Sequence, residues 1–341
     1  MLKKLVNEAF FTLRITTTGP LLIKSGHATV VGPDMTPVMT SRNGKQEVYL
    51  PGSSLKGVFR SHIEKIVCSL KPQVVCYPFS GSESREADSR QRQQDYRSSC
   101  GATFNRLSNQ RKKEKGAIEL EDDTGFVYTN SCPACRLFGS TWFIGRVAIG
   151  DAYLITPQVT EQRDGVGIDR LTGGSSHAAK FELEVVSAGV SFETDVHLRN
   201  FEIWQLGMLF AVLQDMEDGL IRLGSGRSRG LGSVTATISE NKKHDSSKGI
   251  VLSSMRGSNE PDSELWGLGR WLNDESYGTR KDDVLKLSEP AVHIDRGIRR
   301  TRAFADTALI SLREASIEQF IQRMLAWEQP AAELTRAGNR S

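Results

Sequence analysis

Residues 221–234, IRLGSGRSRGLGSV, constrain the fold more than any other stretch of this chain. Gly224, Gly226, Gly230 and Gly232 allow backbone dihedrals that residues with a Cβ resist, so the loop can press close to a ligand. Arg227 and Arg229 put two permanent cations on it, with the Ser228 hydroxyl between them. Backbone N–H groups beside guanidinium groups suit a phosphate chain. A glycine-rich turn joining two elements is the competing reading.

Around that loop the hydrophobic pattern predicts an α+β fold. Residues 11–18 alternate apolar and polar side chains and read as a strand, broken by Gly19-Pro20. Residues 25–43 read as a loop. A helix follows Pro51, with Ser53 or Ser54 as its N-cap and Leu55, Phe59, Ile63 and Val67 among its apolar positions. Residues 147–154, 181–186, 192–198 and 232–239 read as strands, and residues 203–216 as a strongly apolar helix. Allowing for one extra strand, this order is close to the split βαβ, ferredoxin-like plan. Residues 78–116 are rich in Ser, Gln, Arg and Lys and read as a mobile insertion. After a polar linker at 241–248, residues 265–272 and a stretch containing Ile317, Phe320, Ile321 and Met324 read as helices of a C-terminal extension, the tail after Pro330 being frayed. The extension packs on its own chain or on a neighbouring subunit.

The chain has 341 residues, 38% of them hydrophobic, enough for one large domain or two modest ones. No apolar run approaches the ~20 residues of a membrane span, and the start of the chain lacks an apolar signal region. A cytoplasmic protein without a membrane partner is expected. The net charge of +3 says little about a polyanionic partner; local charge matters more. Five cysteines in such a compartment raise the question of metal rather than of disulfides. Cys132 and Cys135 form a CxxC pair that can clamp one tetrahedral ion, and Cys76 and Cys100 can complete the site and pin both ends of the polar insertion. Free buried thiols are the alternative. Cys68 lies within the first helix and reads as a packing residue.

Asp34 is the carboxylate of the 25–43 loop and His27 lies earlier in it. Asp34 can hold a divalent metal beside a scissile phosphate, and His27 can orient a 2′-hydroxyl; solvated surface side chains are the plainer reading of both. Lys56 sits in the first helical turn, where a helix N-terminus favours phosphate, with Arg60 one turn on. Residues 166–180, containing Arg170 and His177, suggest a projecting hairpin that either wedges between bases or is a surface turn.

Together, LPGSSLKGVFR (residues 50–60), CPACRLFGS (132–140), GIDRLTGG (167–174) and LGSGRSRGLGSV (223–234) resemble the RAMP superfamily of CRISPR-associated proteins, most closely the backbone subunit of type III-D-like and type VII-like effectors. The resemblance covers about residues 10–240. It implies an RRM-like palm over residues 1–240, a zinc-bearing insertion at about 71–140, a thumb hairpin at about 163–182 and a C-terminal helical extension over 241–341. Several copies would bind one CRISPR RNA and pair it with target RNA beside other effector subunits. The implied RNA contacts are Ser53, Ser54, Lys56, Arg60, Arg170, His177, Gly224, Arg227, Ser228 and Arg229. In type III relatives an aspartate of the first loop cleaves target RNA with a divalent metal. Asp34 occupies the expected place, so an endoribonuclease using Mg2+ or Mn2+ is the alternative to a non-catalytic backbone. In the type VII-like branch a separate nuclease subunit cuts instead.

Overall fold

In the computed structural model of the chain, residues 4–26, 32–78, 95–114, 116, 118–239, 249–275, 277–289, 291–293 and 297–328 are described, with residues 177–179 described by their backbone alone. His27, the 241–248 linker, residues 79–94 of the insertion and the tail after Pro330 lie outside them.

Strand β1 (Asn7–Thr17) organises the molecule. Its residues alternate as the pleat requires: Ala9, Phe11, Leu13 and Ile15 are fully buried on one face, while Arg14 on the other is exposed. After it come β2 (Met39–Arg42) and β3 (Lys45–Leu50), an antiparallel hairpin inside what the pattern reads as a loop. Asn43-Gly44 turns this hairpin, both residues at positive φ (52° and 75°), the geometry that Asn-Gly favours between two strands.

Helix α1 (Gly52–Leu70) buries Leu55, Phe59, Ile63 and Val67, one per turn. Its N-cap is Pro51, not Ser53 or Ser54, and no side chain of its own caps it. The Gly52 N–H donates instead to the Asp151 carboxylate at 2.7 Å, so a residue ninety-nine positions away in sequence replaces the local cap. Within the stretch 78–116 read as a mobile insertion, residues 100–111 form helix α2 (Cys100–Arg111), and α3 (Thr124–Asn130) and α4 (Pro133–Phe138) follow it. A short pair, β4 (Gly139–Ser140) and β5 (Phe143–Ile144), follows. The strand expected over 147–154 is two strands, β6 (Val147–Ile149) and β7 (Ala152–Leu154), interrupted at the residues that cap α1.

Strands β8 (Thr160–Ile168) and β9 (Ser175–Val186) form a separate antiparallel hairpin, and β10 (Ser191–Arg199) returns to the main sheet. Helix α5 (Ile203–Glu217) and β11 (Val234–Ser239) complete the expected pattern. The rest of the chain adds β12 (Gly249–Met255), β13 (Glu264–Trp266), α6 (Leu268–Leu272), β14 (Val284–Lys286), β15 (Val292–His293), β16 (Arg299–Ala305) and α7 (Asp306–Leu325). The helix expected over 265–272 is thus a strand followed by one short helical turn.

The fold is mixed α and β with an antiparallel main sheet of order β15-β16-β12-β1-β10-β7-β3-β2; β11 pairs with β1 and β6 with β10. One edge of β1 pairs with β10 over most of its length. The other is shared end to end: β12 pairs with residues 7–10 and β11 with residues 12–17. The C-terminal segment therefore packs on its own chain, as a continuation of the same sheet. Its Ile250, Leu252, Phe304, Leu312 and Phe320 join one hydrophobic core with β1, α1 and α5.

Helix α5 is buried on nearly every side because α7 covers it. At their crossing, a Cβ on Gly207 would lie 2.0 Å from the Ser316 carbonyl oxygen, so only glycine permits this approach. Gly207→Ala is expected to destabilise the fold by about 1–3 kcal/mol, read as a lower midpoint in chemical denaturation; an unchanged midpoint would contradict this packing.

Candidate nucleic-acid interface and metal centre

The glycine-rich loop is fixed by backbone bonds to the segment after β1. Ser225 N–H donates to the Leu22 carbonyl (2.8 Å), Gly232 N–H to Pro20 (2.7 Å) and Leu223 N–H to Gly232 (2.9 Å). All four glycines have positive φ, and a Cβ on Gly224 or Gly232 would meet a carbonyl oxygen at 2.2 or 2.1 Å. Between Gly226 and Gly230, the 3-10 turn Arg227–Arg229 presents Arg227, Ser228 and Arg229 outward, all exposed. The Arg222 guanidinium donates to the Arg227 carbonyl at 2.7 Å and holds this turn from below.

Three segments remote in sequence meet here. Leu231 of the loop, Leu22, and Leu183 and Val185 of β9 form a small second core, against which Met35 and Phe181 pack. The Arg229 guanidinium lies 5.2 Å from the centre of the Phe181 ring, a cation–π contact. The Asp34 carboxylate accepts the Glu182 N–H at 2.8 Å, and Met35 exchanges backbone bonds with Glu182 and Glu184. Asp34 is exposed and lies against the middle of the β8–β9 hairpin, where Glu182 pairs with Asp164. No group of three possible metal-ligating side chains includes it among the described residues. At the hairpin tip the Asp169 carboxylate accepts the N–H groups of Leu171 (2.7 Å) and Thr172 (3.0 Å), which leaves Arg170 exposed and Leu171 97% exposed. His177 lies in β9.

Helix α1 divides the basic residues between two clefts. Ser54, His62 and Lys65 line a groove of about 410 Å3 with Arg222 and Arg227 of the glycine-rich loop. His62 Nε2 lies 2.5 Å from Asp215, which ties α1 to α5. Lys56 and Arg60 instead face a cleft between α1, the cysteines and residues 138–145; Ser53 is exposed at the helix start. Arg60 is not free: its guanidinium bonds Glu64 (2.8 Å), the Gly139 carbonyl (3.0 Å) and the Cys135 sulfur (3.4 Å). The sequence pattern did not single out Lys65, Arg222, His62 or Phe181. Lys65 stands about three turns from Ser54 on the same face of the helix, and that spacing alone could have suggested it.

Cys76, Cys100, Cys132 and Cys135 form one buried cluster whose sulfurs all lie within 4.8 Å of one another. Cys132 and Cys135 each lie 3.6 Å from Cys76. Four thiolates around a zinc ion at ~2.3 Å would stand about 3.8 Å apart, so the donor set and its spacing fit a tetrahedral ion. Two cations flank the sulfurs. Arg97 donates to Cys100 at 3.0 Å, and Arg60 to Cys135. Bonds from the other three thiols, with the Arg97 charge, hold Cys100 well below the ordinary thiol range. Burial opposes the charge on Arg97, but the adjoining cysteines outweigh it and its pKa is raised. Cys68 stands apart, half-buried, with its thiol toward the Asp95 carbonyl at 3.4 Å.

The loop geometry predicts a graded response. Gly230→Ala meets open space and bears only left-handed strain, about 1–2 kcal/mol. Gly232→Ala adds a backbone collision and is expected to lower the denaturation midpoint further. Equal losses would count against the close approach of the loop to Leu223.

No curated protein matches the chain. A family model, that of the RAMP superfamily, matches residues 14–235. That span runs from β1 through α1, the cysteine cluster and the hairpin to the glycine-rich loop, and it covers well over half of the chain. No helix among the described residues is long and apolar enough to cross a membrane. With its basic loop, its exposed hairpin and its four-cysteine cluster, the chain belongs to the RAMP superfamily of CRISPR-associated, RNA-binding proteins.

Proposed function

We propose that this protein is a CRISPR-RNA-binding backbone subunit of a multisubunit effector that pairs its guide with target RNA. The observation that carries this reading is the groove between α1 and the glycine-rich loop. There Lys65, Arg222 and Arg227 gather beside Ser54 and Ser61, within the span of the RAMP match. Such a surface grips phosphates without reading bases. The opposite, open face of the sheet suits RNA poorly, because β10 carries Glu193 and Asp195 there beside Arg14 and Thr12.

In this reading β1, β6/β7, β10 and β11, with α1 and α5, form a ferredoxin-like, RRM-like palm. Their order, β11-β1-β10-β6/β7, supports it. The β8–β9 hairpin is the thumb, and Leu171 at its tip is the apolar wedge between guide and target. Zinc held by Cys76, Cys100, Cys132 and Cys135 fastens the insertion. Charge reversal at Lys65 and Arg227 together is expected to abolish co-purification of guide RNA when the protein is expressed with a CRISPR array. Full retention of RNA by a folded double variant would overturn the reading.

A type III-D-like or type VII-like subunit differs in what cuts the target. Asp34 on the exposed loop beside the thumb supports an endoribonuclease role with Mg2+ or Mn2+; its bond to the Glu182 N–H supports a structural role in a non-catalytic backbone with a separate nuclease. Undiminished target cleavage by an assembled complex carrying Asp34→Ala would exclude the first. The purified protein is expected to hold one zinc per chain by elemental analysis, and Cys132→Ser to lose it together with thermal stability; a metal-free, equally stable protein would refute the zinc assignment.

A further inference from the structure

The second cleft beside α1 has a composition of its own. It encloses about 720 Å3 between the helix, the cysteine cluster and residues 138–145, within the usual size of a small-molecule site. Lys56 lies half-buried on one wall and makes no hydrogen bond or ion pair with any described residue. Burial and the neighbouring charge of Arg60 depress its pKa, so an anion is what this position lacks. Arg60 cannot supply further bonds readily, since Glu64, the Gly139 carbonyl and Cys135 already hold its guanidinium.

Trp142 and Phe143 line the same cleft. The Trp142 indole is fixed from behind: its Nε1 donates to the Asn105 side chain at 2.9 Å, and Phe104 meets it edge-on at 6.0 Å. Phe143 is held by Tyr128 at 5.7 Å. A half-exposed aromatic surface whose rotamer is already set loses little entropy on stacking. Ser140 and Thr141 line the same cleft, and Ile144, also in its lining, is 80% exposed.

We propose that this cleft holds one unstacked nucleotide of the bound RNA, its base against Trp142 and its phosphate at Lys56. The inference rests on the RNA-binding reading above and adds a nucleotide subsite to it. A cation without a partner among the described residues and a pinned aromatic ring in one cleft match a nucleotide better than an acidic peptide, which would use the cation and leave the ring idle. By bonding both the Gly139 carbonyl and Cys135, Arg60 fastens the cleft wall to the thiol cluster.

The test is ultraviolet cross-linking of the complex with its co-purified RNA, followed by peptide mass spectrometry. A nucleotide adduct is expected on the peptide containing Trp142. Trp142→Ala should remove it and weaken binding of a short oligouridine about 5-fold or more, whereas Trp142→Phe, which keeps a ring, should retain most of the affinity. Adducts confined to other peptides in an RNA-loaded complex would overturn the subsite and leave the proposed function standing. A Trp142 cross-link to a protein neighbour would overturn it in favour of a peptide. Absence of RNA from the complex would overturn the proposed function and the subsite together.

Discussion

The hydrogen-bonding demand of one buried strand organises this molecule. A strand in the middle of a sheet must satisfy its backbone groups on both edges, and β1 does so with three partners. It pairs with β10 on one side and with β12 and β11 in succession on the other. Two of these partners lead directly to elements of the candidate interface. Strand β10 is the return of the β8–β9 hairpin, and β11 follows the glycine-rich loop, so both reach the same end of β1. Asn7 secures the opposite end: its buried amide donates to the Phe201 and Trp266 carbonyls and accepts the Phe201 N–H. The C-terminal segment is bound into this frame, because without β12 the first residues of β1 would face water on one edge.

A second anchor is a chain of buried charge linking the insertion to α5 and the C-terminal segment. Arg136, next to the CxxC cysteine Cys135, donates to the Thr129 carbonyl at 2.7 Å and lies 3.7 Å from the buried Glu202 at the start of α5. Its guanidinium also lies over Tyr128 and Trp327. Asp283 from the C-terminal segment accepts the N–H groups of Ile203 and Gly269, joining α5 to α6. Burial and the charge of Glu202 push its carboxyl up to about 8. Breaking one partner of such a network leaves a buried group uncompensated, which costs far more than the intact pair contributes. The insertion, α5 and α7 consequently behave as one packed unit with the thiol cluster at its end.

Much of this was legible from residue patterns. The apolar spacing of α1 and α5 places those helices almost to the residue, and the alternation of β1 finds that strand but misses its first four residues, because burial of one face leaves a periodic trace. The four cysteines can be grouped from the sequence because CxxC is a local signature and one further thiol, Cys68, lies inside a helix; the structure brings their sulfurs within 4.8 Å of one another. Other features left weaker traces. The β2–β3 hairpin carried an Asn-Gly turn signal that its polar flanks obscured. The cap of α1 was invisible because Asp151 reaches it across the sheet. Polar composition hid helix α2, whose buried Cys100, Phe104 and Ser108 are too few to dominate a pattern.

The sequence by itself determined the chemistry on offer: glycines for a strained loop, arginines for phosphate, thiols for a metal, and the periodicities that make strands and helices. These are local properties, carried by each residue wherever the chain goes. Which of them act together was decided by tertiary structure. Lys56 and Arg60 share a helix with Ser54 and Lys65, yet the rotation of α1 against the sheet sends the first pair to the cysteine side and the second to the glycine-rich loop. Asp34, Phe181 and Arg229 come together only because β9 and the loop bury Leu183, Val185 and Leu231 in a common core. Contacts between segments so far apart depend on the packing of everything between them, and no local pattern encodes that.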